Sequence, residues 1–96
     1  MKAVPIFRER LVVGLAELVE IIIWQVPTPV PPSDHDFKYR LAYVRGGECV
    51  VRYDNERGKG DHKHLAGQEL PYTFTSVEQL LNDFEADVTA IRGEPI

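Results

Sequence analysis

Two adjacent glycines constrain this chain more than any other feature. Gly46 and Gly47 split FKYRLAYVRGGECVVRYDN, residues 37–55, into two runs of β-forming residues. A two-residue hairpin loop needs positive φ, which glycine adopts without a steric cost. The reading is therefore an antiparallel hairpin in which Arg45 faces Glu48, Tyr43 faces Val50 and Leu41 faces Arg52. Side chains alternate along a strand, so Tyr39, Leu41, Tyr43, Val50, Arg52 and Asp54 share one face. Arg40, Ala42, Val44, Cys49, Val51 and Tyr53 share the other. The second face, with its smaller apolar groups, is expected under a covering helix, and the first is expected to stay open.

That helix is legible near the C-terminus. Apolar residues fall at Val77, Leu80, Leu81, Phe84, Val88 and Ile91, one helical face. Ser76 with Gln79 three residues on forms a capping-box pattern, and Arg92, Gly93 and Pro95 are stop signals. The spacing predicts a helix over about residues 76–92. The N-terminal third carries two patterns. Residues 11, 15, 18 and 22 form a helical stripe, yet Val, Ile and Trp crowd residues 19–26 and favour a strand. A hairpin is preferred over residues 11–23 and their flanks: a strand near 3–12, a turn around Gly14 and a strand near 17–26. PTPVPPSDHD reads as a stiff extended loop, and Tyr72 to Phe74 as a short strand. The expectation is one α+β domain over residues 1–96: an antiparallel sheet of four to five strands packed by one long C-terminal helix.

Ninety-six residues support a thin core, burying roughly 60–65% of the unfolded surface. The net charge of −4 argues against general nucleic-acid coating, but seven of the eleven Lys and Arg lie between Lys38 and Lys63. Cys49 is the single cysteine, so no internal disulfide forms, as suits a reducing cytoplasm. MKAVPIFRERL is interrupted by charge too soon for a signal peptide, and VEIIIWQV falls short of a membrane span. The expected location is cytoplasmic.

The chemistry concentrates in RYDNERGKGDHKH, residues 52–64. His62 and His64, two apart, would point the same way on a strand and form half of a metal site, completed by Asp54, Asp61 or His35. Lys63, Lys59 and Arg57 crowd the segment and oppose a second cation, so no metal or cofactor is expected. Cys49 reads as a small packed hydrophobe. The same residues suit metal-independent RNA cleavage. Histidine transfers protons near neutral pH, arginine stabilises phosphate charge, and tyrosine rings stack bases. Read so, Arg52, Asp54, His62 and His64 are the candidate catalytic set, with Tyr39 and Tyr43 stacking bases. A solvated connection is the plainer reading of such a loop.

YRLAYV, CVVRYDNERGKGDHKH and PYTFTSVEQLLNDF together resemble the TumE family, toxins of two-gene toxin–antitoxin systems. The positions that carry the resemblance are Tyr39, Arg40 and Tyr43, then Arg52, Tyr53, Asp54 and Asn55, then His62 and His64. ERGKG stands where some members carry a denser histidine run. The resemblance implies a toxin held by a helix-turn-helix antitoxin, with ribonuclease activity, and an RNA- or partner-binding role for Tyr39, Arg40, Tyr43, Tyr53 and Asn55. The alternative is a non-enzymatic module that docks a partner protein on the open sheet face.

Overall fold

A computed structural model describes residues 2–96. Its strands are β1 (Val4–Gly14), β2 (Glu17–Gln25), β3 (Phe37–Arg45), β4 (Glu48–Glu56), β5 (Gly60–Leu65) and β6 (Gln68–Pro71). They pair in chain order as one antiparallel meander, and helix α1 (Val77–Arg92) follows. The α+β class is as expected, with six strands rather than four to five. Residues 11–23 belong to the β1–β2 hairpin, which turns at Leu15 and Ala16. The extra strand, β5, comes from the polar segment read as a loop. Gly58 and Gly60, at φ 86° and 75°, allow the chain to reverse and send Asp61 to Leu65 back along β4. Polarity hid this strand, because its outward face carries histidines rather than apolar groups. The short strand expected at Tyr72 to Phe74 lies earlier, at Gln68–Pro71.

The Gly46–Gly47 turn and the Arg45–Glu48 pair form as expected, but the register then slips. Val44 pairs Cys49 while Tyr43 pairs Val51, so Val50 is an extra residue in β4. A bulge of this kind exchanges the faces of every residue beyond it. Ala42 therefore pairs Arg52, Leu41 pairs Tyr53 and Arg40 pairs Asp54. Tyr39, Leu41, Tyr43, Val51 and Tyr53 share the face under the helix, all essentially fully buried. Arg52 and Asp54 share the outer face with Arg40 and Ala42.

Aromatic rings bury more apolar area than the smaller groups opposite, which favours the tyrosines inside. Their hydroxyls then need partners. Each of the four tyrosines donates to a carboxylate: Tyr39 to Asp61 at 2.7 Å, Tyr43 to Glu17, Tyr53 to Asp87, and Tyr72 to Asp83 at 2.7 Å. Burial first, and the carboxylate second, push all four phenols above their ordinary pKa. The helix inserts Leu80, Phe84 and Val88 into this layer, one turn apart. Ser76 Oγ accepts from Gln79 N at 3.0 Å, and Gly93, at φ 84°, closes the C-terminus by donating to Thr89 O. Packing chiefly against β4, the helix leaves the inner face of β1 and β2 partly bare. Among the described residues, no helix or strand covers the outer face of the sheet.

Candidate active site

Strand pairing brings the outer-face candidates together. Arg52 is directly opposite His64, and Asp54 directly opposite His62. Arg52 Nη2 lies 2.8 Å from His64 Nε2. A guanidinium only donates, so this nitrogen accepts and the His64 proton sits on Nδ1. His62 Nδ1 lies 3.0 Å from Gly60 O, an acceptor, and so donates there. Its Nε2 then faces Asp54 Oδ1 at 2.7 Å, and Arg52 Nε is 3.4 Å from Asp54 Oδ2. Both contacts are close but fall outside hydrogen-bond alignment. Arg52 Nε, Asp54 Oδ1 and His62 Nε2 are therefore buried with no hydrogen-bond partner among the described residues. Such atoms are costly to leave unsatisfied.

Accessibility divides the four. The side chains of His62 and Asp54 are 5% and 9% exposed, whereas those of Arg52 and His64 are 29% and 27% exposed. Arg52 and His64 can meet a substrate; His62 and Asp54 stand behind them. The two imidazoles pack edge to face, 5.2 Å between centroids.

Glu69 completes the cluster from β6, opposite His64. Its Oε1 is 3.3 Å from Lys59 Nζ, 3.8 Å from His62 Nε2 and 3.9 Å from His64 Nε2. The Lys59 hydrogen bond holds its carboxyl below the ordinary value, so it is ionised at neutral pH. Sequence reasoning missed Glu69. The usable signal was Ala66–Gly67, a second two-residue turn whose hairpin pairs His64 with Glu69.

One donor atom each from Asp54, His62 and His64 lie within 4.8 Å of one another, a geometry that could hold a metal ion. Against it, Arg52 already occupies the His64 lone pair that a metal would use. Asp61 and His35 cannot complete the set. Asp61 projects to the helix side, where it meets Tyr39 OH, Ser33 Oγ and His35 Nε2, the last at 2.7 Å. His35 stacks on Phe74 there, centroids 3.9 Å apart.

The bulge moves Tyr39 and Tyr43 to the covered face, where Tyr53 was already expected, so the binding role given to all three is corrected. Tyr39, Tyr43 and Tyr53 are at most 1% exposed and lie beneath the helix, so none of them offers a ring to a base. Asn55, fully buried, is a structural clamp between β3 and β4: its Oδ1 accepts from Tyr39 N and its Nδ2 donates to Phe37 O. Arg40 alone of that group is exposed on the outer face, opposite Asp54. Cys49 is exposed, rather than packed away, near the Gly46–Gly47 turn.

No helix of the described residues is long and apolar enough to cross a membrane. A family model described as Toxin TumE matches residues 6–92. Comparisons with curated proteins and with solved structures return no match.

Proposed function

The chain belongs to the TumE toxin family, the toxin component of a toxin–antitoxin system, and from that premise we propose that it arrests growth in the cytoplasm as a metal-independent ribonuclease. The observation that carries this reading is the cross-strand arrangement on the open face: a reachable guanidinium and a reachable imidazole 2.8 Å apart, backed by a buried His–Asp pair. His64 Nε2, once Arg52 turns to the phosphate, accepts the proton of the ribose 2′-OH. The O2′–P bond forms and the P–O5′ bond breaks, leaving a 2′,3′-cyclic phosphate. O5′ takes its proton from water at the open face. Arg52 donates to the phosphate oxygens as their charge grows. His62 and Asp54 act as positioning residues, being too buried to touch RNA. The inferred partner is an antitoxin of the helix-turn-helix type.

Purified protein incubated with total RNA, with and without EDTA, tests this. Cleavage is expected in both arms, ending in cyclic phosphate. His64→Ala is expected to lose about 10²–10⁴-fold, the usual worth of a positioned proton acceptor, with growth arrest lost in parallel. A second reading, a metal site at Asp54, His62 and His64, is favoured by the unpartnered Asp54 Oδ1 and His62 Nε2; loss of cleavage with EDTA would establish it. Absence of cleavage by the wild type would leave the non-enzymatic docking module.

A further inference from the structure

The chain is acidic, yet its open sheet face is not. The register places Arg8, Ile22, Arg40, Asp54 and His62 in one row across β1 to β5. The next row holds Arg10, Glu20, Ala42, Arg52 and His64. Arg8, Arg10 and Arg40 are all exposed. Among the described residues they make no ion pair, whereas Arg45, Lys59, Lys63 and Arg92 all do. The three free guanidiniums border one hollow of about 300 Å³, floored by Ile22 and flanked by Glu20. The Arg8 guanidinium lies over the Trp24 ring, 5.7 Å from its centroid, which holds it along the sheet surface. Acidic residues of the helix, such as Asp83 and Asp87, are instead engaged with the tyrosines of the opposite face.

We propose that this arginine-lined hollow on β1 to β3 is the binding track for single-stranded RNA, delivering the strand to Arg52 and His64. The proposal rests on the ribonuclease reading and extends it to the substrate's path. Three strand spacings separate Arg8 from Asp54, roughly 14 Å at about 4.8 Å each, so the track spans a few nucleotides beside the cleavage position. Unpaired arginines recognise phosphates through forked hydrogen bonds without reading sequence. An open sheet face suits a single strand, whose backbone can follow it, better than a rigid duplex. Glu20 is the single acid lining the hollow, against three arginines.

The test uses the wild-type chain and a fluorescein-labelled, fully 2′-O-methylated single strand, which cannot be cut through its 2′ oxygens. Anisotropy is compared between wild type and the R8Q/R10Q/R40Q triple variant across salt. All three positions are exposed, so the variant should keep its thermal midpoint. Expected is at least a tenfold weaker Kd, with the slope of log K against log salt shallower by about 2, near 0.7 per lost phosphate contact. Arg45→Gln, near the Gly46–Gly47 turn, should leave binding unchanged. Equal affinity in wild type and triple variant overturns the track, even where the wild type cleaves RNA. So does a triple variant that binds RNA normally but no longer binds the antitoxin, since the face would then be the antitoxin's dock. A wild type that binds the strand through these arginines but cleaves no RNA would sink the ribonuclease reading and leave the track standing.

Discussion

Arg52 touches both halves of the site, His64 through Nη2 at 2.8 Å and Asp54 through Nε at 3.4 Å. Its planar fork allows that double reach, which the single ammonium of lysine cannot reproduce. Arg52→Lys is expected to keep stability within about 1 kcal/mol, because a cation stays beside Asp54. The same change should cost cleavage at least about tenfold, the rate equivalent of one charge-assisted hydrogen bond of about 1.5 kcal/mol. Arg52→Ala should in addition lower stability by about 1–3 kcal/mol, because a buried carboxylate loses its guanidinium. Thermal unfolding beside cleavage assays separates the two effects. A lysine variant that cleaves like wild type would show that the fork is not used on phosphate.

Among the elements, the β1–β2 turn and the helix end are tied by Glu17. It accepts from Tyr43 OH and from Arg92 Nε, the latter at 2.8 Å, while Arg92 Nη2 donates to Val13 O. The Tyr43 hydrogen bond first, then Arg92, lowers the Glu17 pKa. A carboxyl with a depressed folded pKa binds more protons unfolded than folded, so its stabilisation is complete above the unfolded value, about 4.3. It is lost as pH falls through the lower folded value. Glu17→Gln should therefore be less stable than wild type at pH 7, and the gap should close in acid. Denaturant titrations of both proteins from pH 7 to pH 3 measure it; a constant gap would mean that Glu17 is held by shape rather than charge. The bulge at Val50 belongs to the same scale. Alternation alone told which β4 residues share a face, Arg52 with Asp54 and Val51 with Tyr53. One extra residue decided which residues of β3 join them.

The whole molecule is a sheet with one helix-covered face and one open face. Phe84 lies on the covered side, 1% exposed and edge-on to Tyr53 at 5.8 Å between centroids. Phe84→Ala should cost about 3–5 kcal/mol, a large part of the roughly 5–15 kcal/mol that holds a domain together. It should abolish toxicity by unfolding, visible as a lost circular-dichroism transition, whereas His64→Ala should abolish toxicity with that transition intact. A folded but inactive Phe84→Ala protein would mean that the helix face takes part in function. Local signals sufficed for the C-terminal helix, whose period, caps and stop residues agree within one segment. They sufficed also for the Gly46–Gly47 turn and for the outward direction of Arg52 and Asp54. Only tertiary structure decided that Tyr39 and Tyr43 are core beside Tyr53, that the histidines ride on a strand, and that Glu69 and the β1 arginines share their face. Those outcomes depend on pairing between distant segments, where a single inserted residue turns side chains to the other face, and no local period records it.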